Sequence, residues 1–288
     1  MSNRLPAWFR QDLPQDAAFS QMHLLSEFNV NTVCKEAKCP NLSRCFSQGR
    51  LTFVILGDTC TRNCRFCAVN KADTKPLGID LDEPLRIRET VKKLGLGYVV
   101  ITSVTRDDLE DGGASIFSQV IELIHALNRE IKVEVLIPDF QAKDSSLQCV
   151  LDAGPDVVAH NIETVKRLYP HVRAQADYRR SQEVLRRVKE LDPSLITKSS
   201  LMLGLGETED EVREAMEDLI GAHCDILTLG QYLSPSGSHY PVKEFIAPQR
   251  FMRYKELGII LGFKAVLSGP LVRSSYQAEE LYQEFNYV

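Results

Sequence analysis

The chain has 288 residues, enough for one large α/β barrel domain or two small ones. Apolar residues make up 44% of it and charged residues 25%, so there is ample material for a core. The formal net charge of −5 offers no basic excess for nucleic acid, and no apolar run reaches membrane-spanning length. The polar first twenty residues, punctuated by Pro6 and Pro14, lack a signal-peptide core, so the expected location is the cytoplasm. In that compartment eight cysteines argue for metal rather than disulfides, and six of them lie between positions 34 and 67.

Residues 1–30 read as an arm with a short helix around 17–27. Cys34, Cys39 and Cys45 follow, spaced C-x4-C-x5-C, with no fourth cysteine nearby. One reading is a zinc loop completed by a distant histidine; the other is a cluster completed by a residue met later in the chain. An apolar, β-rich run at 52–56, bounded by Gly49 and Gly57, reads as a first strand. It delivers the chain into Cys60, Cys64 and Cys67, spaced C-x3-C-x2-C. Three thiolates within eight residues are too dense to be packing residues. A closed zinc site takes four protein ligands, and an electron-transfer cluster is usually held by four cysteines. Three predict a cubane [4Fe-4S] cluster with one iron open to a small molecule.

From there helix and strand patterns alternate. A helix at 82–93 is opened by Asp82 and Pro84 and stopped by Gly95. A strand at 98–102 leads to a helix at 114–129 with Ile116, Val120, Ile124 and Leu127 on one face. Next come a strand at 132–137, a short helix at 144–151, a strand at 156–160, a helix at 178–190 and a strand at 195–202. The capping box of Thr208 and Glu211 opens a helix to about 220. A strand at 226–229, a helix at 248–261 and an extended run at 264–267 complete the alternation. Six strands separated by helices predict a parallel sheet with right-handed crossovers. Chemistry is then expected at the C-terminal strand ends, where polar clusters fall at 102–108, 138–139, 160–163, 199–206 and 230–235.

The Cys60–Cys67 motif, with Phe66 before its last cysteine, resembles the signature of the radical S-adenosylmethionine (SAM) enzymes. The resemblance implies that the open iron is chelated by SAM, which an electron then cleaves to release a 5′-deoxyadenosyl radical. The fold class it implies is α/β, a partial (β/α)6 TIM-like barrel of radical SAM type. The barrel would span residues 49–262, with an N-terminal extension (1–48) and a C-terminal segment (263–288) closing its mouth. Near the C-terminus stands Arg273–Ser274–Ser275–Tyr276. With the Cys34 triad it makes the whole chain resemble the lipoyl synthase family, over roughly residues 30–276. Further matching pieces are Val104–Thr105–Arg106–Asp107–Asp108–Leu109, His160–Asn161–Ile162–Glu163–Thr164 and Gln231–Tyr232–Leu233–Ser234–Pro235. Glu110, where the family often carries proline, departs at no ligand position.

That resemblance implies insertion of two sulfur atoms, at C6 and C8, into an octanoyl chain. The chain is amide-linked to a lysine of a lipoyl carrier domain or the glycine-cleavage H protein. Two [4Fe-4S] clusters and S-adenosyl-L-methionine are implied. Cys60, Cys64 and Cys67 would hold the SAM cluster, and Cys34, Cys39, Cys45 and Ser275 an auxiliary cluster consumed as the sulfur source. Phe66, Asn161, Glu163 and Asp107 are the expected SAM contacts, Asp107 reading equally well as a loop carboxylate. Arg273 is expected near the auxiliary cluster or substrate. An electron donor such as ferredoxin or flavodoxin is implied, with no nucleic acid or membrane partner, and a monomer is the default.

Other readings remain distinguishable. A different radical SAM sulfur-inserting or methylthiolating enzyme would share the triads but not the Arg273–Tyr276 motif. A two-cluster electron carrier predicts four cysteines per cluster and a small fold; a zinc module predicts colourless protein. Cys149, Cys224 and His125 read as packing or surface residues, and His160 as locally bonded. His239 reads as a loop residue that could line a substrate channel. The Gly204-x-Gly206 pair lacks the third glycine of a dinucleotide fingerprint, and reads as backbone approaching a cofactor.

Overall fold

The computed structural model describes residues 5–11, 16–72 and 78–286; the reading of the first twenty residues therefore falls partly outside the described residues. Its centre is an eight-stranded sheet in the order β1-β2-β5-β6-β7-β8-β9-β10. The strands are β1 (Asn31–Thr32), β2 (Thr52–Ile55), β5 (Tyr98–Ser103), β6 (Lys132–Leu136), β7 (Val157–Ala159), β8 (Ile196–Leu203), β9 (Ile226–Gln231) and β10 (Ala265–Gly269), while β3 (Thr59–Cys60) and β4 (Asn70–Lys71) form a separate small pair. From β2 to β10 every pairing is parallel, and β1 lies antiparallel on β2. Helices Glu83–Leu94, Ala114–Leu127, Asp144–Asp152, Tyr178–Leu191, Glu209–Gly221 and Pro248–Leu261 make the crossovers. This is the expected partial barrel.

The run expected only to be extended is a full strand. β10 pairs with β9 from Ala265↔Ile226 to Gly269↔Gly230, so the C-terminal segment begins inside the sheet. Beyond it lies a helix the sequence reading did not mark, Ala278–Asn286. Buried Leu281 packs with Val157, Ile196, Ile226 and Ala265, which lie at or near the starts of four strands. That places the helix across the barrel floor rather than its mouth. The reason is hydrophobic: a parallel barrel leaves an apolar ring at the bottom, and an amphipathic helix removes it from water. Tyr282 lies beside Tyr98 at the start of β5, with ring centroids 5.7 Å apart and planes tilted by 56°.

Just above the floor the interior holds a buried ion pair. Lys198 Nζ on β8 donates to Glu134 Oε1 and Oε2 on β6 at 2.7 and 3.0 Å, and Tyr98 OH donates to Glu134 Oε2 at 2.8 Å. The two charged side chains are 1% and 2% exposed. A charge this deep is tolerated only when its partner is present.

The N-terminal residues run over the other end. Phe9 meets Phe245, in the loop after β9, edge-on at 5.8 Å, and Gln11 Nε2 donates to the Pro40 carbonyl at 3.0 Å. No described helix is long and apolar enough to cross a membrane.

Glu134→Ala leaves Lys198 charged and alone, and is expected to lower the unfolding free energy by about 3–5 kcal/mol. The double change Glu134→Leu with Lys198→Met should cost much less than the two single changes summed. Urea unfolding of the three variants checks both expectations.

Candidate active site

The loop carrying Cys60, Cys64 and Cys67 leaves the C-terminal end of β2 through a left-handed turn, Leu56 at φ 67° and Gly57 at φ 83°. The buried Glu83 carboxylate accepts from the amides of both turn residues, at 2.6 and 3.3 Å, and so aims the chain across the barrel mouth. The loop is then fixed by its own arginine. Arg62 Nε and Nη2 donate to the two oxygens of Asp107 at 2.7 and 2.8 Å, and Nη1 and Nη2 donate to those of Asp139 at 2.9 and 2.6 Å. Asp107 follows β5 and Asp139 follows β6, so one guanidinium ties the cysteine loop to two strand ends. Burial alone would push Asp139 up, but the hydrogen bonds and charge of Arg62 hold its carboxyl down at about 2.

Main-chain contacts complete the loop. Thr61 N–H donates to the Thr105 carbonyl at 3.0 Å, Arg65 N–H to the Val172 carbonyl at 2.8 Å, and Lys71 Nζ to the Cys67 carbonyl at 3.0 Å. His239 Nε2 also sits 3.1 Å from the Cys67 carbonyl, with Ser236 on its other nitrogen. His239 therefore braces the loop and does not line the cavity.

Above the sheet opens a cavity of about 800 Å³. Both cysteine triads line it, as do Phe66, Asn161, Glu163, Arg273 and Ser275. Of the residues expected from sequence to hold a cluster or SAM, Asp107 alone stands outside, with both its oxygens engaged by Arg62. Asp107 is thus held as a loop carboxylate by Arg62.

Asn161 and Glu163 follow β7. Asn161 Nδ2 donates to Glu163 Oε1 at 3.1 Å, and Ser274 Oγ donates to Asn161 Oδ1 at 3.0 Å. Burial raises the Glu163 carboxyl, and nearby Arg173 works against that. Arg173 is a site residue that sequence reading missed. It lies over the Tyr169 ring, 5.2 Å from the centroid, and Nη1 donates to the Asn161 carbonyl at 2.9 Å. No spacing or motif reading marked it, since a lone arginine after a short helix gives no signal. His160 Nδ1 donates to the Ile137 carbonyl at 2.9 Å, and burial lowers its pKa to about 4, so the ring is neutral. His160 Nε2 and Arg173 Nε are buried without a hydrogen-bond partner among the described residues, and both residues line the cavity.

The auxiliary triad faces the same space from the short helices Val33–Glu36 and Leu42–Ser47. The C-terminal segment reaches it because the penultimate residue of β9 is a glycine: a Cβ on Gly230 would fall 2.0 Å from the Val272 carbonyl oxygen. Asn41 Nδ2 donates to the Leu271 carbonyl at 2.5 Å, and Arg50 pairs with Glu280. Thr52 Oγ1 donates to Ser275 Oγ at 2.8 Å. The expectation for the Gly204-x-Gly206 pair is corrected at its first glycine: Gly204 approaches the chain itself, its Cβ position lying 2.1 Å from Gln231 Nε2 and 2.4 Å from the Glu244 carbonyl oxygen.

The comparisons with known proteins agree with this geometry. The Radical SAM superfamily pattern matches residues 54–219. The lipoyl synthase of Caldicellulosiruptor saccharolyticus is 54% identical over 281 residues, covering 97% of this chain and 98% of that one. The chain belongs to the lipoyl synthase family. The lipoyl synthase of Thermus thermophilus is 48% identical, covering 97% of this chain and 87% of its own. Among solved structures, the FeFe-hydrogenase maturase HydG from Carboxydothermus hydrogenoformans aligns with TM-score 0.60 at 13% identity, over 96% of this chain and 63% of that one. Methylornithine synthase aligns with TM-score 0.56 at 14% identity, over 88% and 82%. At these identities the two structures speak for the fold alone.

Lipoyl synthases and radical SAM enzymes use iron–sulfur clusters and SAM, and the donor set here fits both. Each triad offers soft thiols, the type that selects iron–sulfur clusters. Among the described residues no three His, Cys, Asp or Glu side chains close on a single ion; the triads instead face a space wide enough for clusters. The unpartnered Arg173 Nε and His160 Nε2 offer a donor and an acceptor to a polar ligand. Burial pushes the thiols of Cys34 to about 12, Cys45 to about 11 and Cys64 to about 11, and raises Cys67 as well. Thiols must lose their protons to bind metal, so cluster assembly on this chain releases protons.

Arg62→Met leaves buried Asp139 with only the more distant Arg180, 3.7 Å away, and the Gln141 amide, at a cost of up to about 3–5 kcal/mol in stability. After anaerobic reconstitution the variant is expected to keep the auxiliary cluster and lose the other. Iron analysis and electron paramagnetic resonance with and without SAM would check this: full iron and an unchanged response to SAM would refute the clamp.

Proposed function

We propose that this enzyme inserts two sulfur atoms, at C6 and C8, into an octanoyl chain carried on a lysine of a lipoyl carrier domain or the glycine-cleavage H protein. What carries the reading is the single cavity shared by two cysteine triads and Ser275, in a chain related along nearly its whole length to lipoyl synthases. Cys60, Cys64 and Cys67 hold the SAM cluster, and Cys34, Cys39, Cys45 and Ser275 the auxiliary cluster. When bound, the first cluster and SAM supply a radical that takes hydrogen atoms from unactivated carbon, chemistry beyond any side-chain base.

The chain's own residues bind, orient and exclude. Asn161 and Glu163 hold the hydroxyl and amino groups of SAM, Phe66 lies against its adenine, and Arg173 meets its carboxylate. Arg273 lies by the auxiliary cluster. The barrel walls and the C-terminal segment keep water and competing hydrogen donors away from a radical that must sit nearly in contact with its target.

The auxiliary cluster is the sulfur source, and in that sense a substrate. A hydroxyl is a harder ligand than a thiolate and a poorer match to a soft centre. Ser275 therefore lets its iron leave sooner than a fourth cysteine would. An external electron donor such as ferredoxin or flavodoxin, a cytoplasmic location and a monomeric state complete the proposal.

An octanoyl-lysyl peptide incubated anaerobically with the reconstituted protein, SAM and a strong reductant is expected to gain first one and then two sulfur atoms by mass spectrometry. 5′-Deoxyadenosine should form in the same reaction. In Ser275→Ala the sulfur gain should vanish. Deoxyadenosine without sulfur on the peptide would reject the substrate.

A further inference from the structure

Thr52 is buried at the start of β2 and lines the cavity beside the candidate auxiliary centre. Its hydroxyl donates to Ser275 Oγ at 2.8 Å. Cys34 comes from the N-terminal triad and Ser275 from the C-terminal segment, and both line the same cavity. Thr52 is 3% exposed, and its backbone is set by the pairing of β2 with β5, where it stands opposite Val100. A β-branched side chain is stiff at χ1, so the strand fixes where this hydroxyl points. A serine oxygen that accepts one hydrogen bond keeps a lone pair for iron, and outer groups of this kind orient the ligands they touch.

We propose that Thr52 is a positioning residue of the auxiliary centre, its hydroxyl orienting Ser275 Oγ towards the cluster that the Cys34 triad would hold. The proposal rests on the reading of Ser275 as a ligand. It makes the first barrel strand the reference for a donor that the chain supplies from its far end. Strand pairing, which is rigid, then sets the geometry of a bond that turnover has to break.

Thr52→Val keeps the branched shape and the N–H and removes only the hydroxyl; Thr52→Ser keeps the hydroxyl. Both are made in the full-length chain with Cys60, Cys64 and Cys67 changed to alanine, so that only the auxiliary cluster is present. The readout is the rate of iron loss to a ferrous chelator, with the three-iron electron paramagnetic resonance signal followed in parallel on mild oxidation. Thr52→Val is expected to lose iron about tenfold faster than its parent, the low end of what outer-sphere changes cost. Thr52→Ser should match the parent. Parental kinetics in Thr52→Val, with fast loss in Ser275→Ala, would overturn the role of Thr52 and leave the serine ligand standing. Parental kinetics in Ser275→Ala would remove the serine ligand and the proposal with it. If Thr52→Val takes up no cluster, Thr52→Ser decides: parental kinetics support the proposal, and loss as fast as in Ser275→Ala overturns it.

Discussion

A guanidinium taken out of water must be met by acceptors on every side, and Arg62 is met by two carboxylates from different strands. Arg62 is 4% exposed and Asp139 fully buried. In such surroundings an unpaired charge costs far more than a broken surface pair, so the three side chains hold or fail together. Since Arg62 stands between Cys60 and Cys64, the position of the cysteine loop follows from the position of β5 and β6. The rest of the mouth is built outward from that fixed loop: Arg65 on the Val172 carbonyl, Tyr240 on the Arg65 carbonyl, His239 and Lys71 on the Cys67 carbonyl.

The second constraint is that the sheet does not close. Among the described strands β1 and β10 are the edges of the eight-stranded sheet, and an open parallel barrel exposes both an edge and a floor. The chain's ends cover them. The N-terminal segment puts β1 on the edge of β2, and the C-terminal segment follows β10 past Gly230 to Ser274 and Ser275 before its helix caps the floor. The opening is therefore where two distant donor sets meet. A closed eight-stranded barrel would fill its own interior with side chains and leave no lateral entry for the C-terminal segment.

Polar groups in the interior are arranged by depth. At the floor Lys198 and Glu134 neutralise each other and do not themselves line the cavity. At the mouth Arg173, His160, Asn161 and Glu163 form a partly satisfied set. Buried polar atoms in folded proteins are nearly always paired, so the unpaired ones lining a large cavity mark the face presented to a ligand. The contact between Ser274 and Asn161 also joins the C-terminal segment to the residues beside the SAM cluster loop.

The sequence by itself determined the alternation of strands and helices, the two cysteine triads and the Arg273–Tyr276 motif. Hydrophobic periodicity and ligand spacing are local, and local patterns can be read along the chain. It also placed the capping box at Thr208 and Glu211, which the structure shows on both sides. The helix 278–286 escaped notice because its apolar face, Leu281 above all, makes sense only against strand starts that are remote in sequence. Asp107 read equally well as a SAM contact or a loop carboxylate, because its partner Arg62 lies 45 positions away. Arg173 carried no motif at all, and Thr52 read as one more β-branched residue in a strand. Only the tertiary structure decided these four, because each owes its role to the group packed against it.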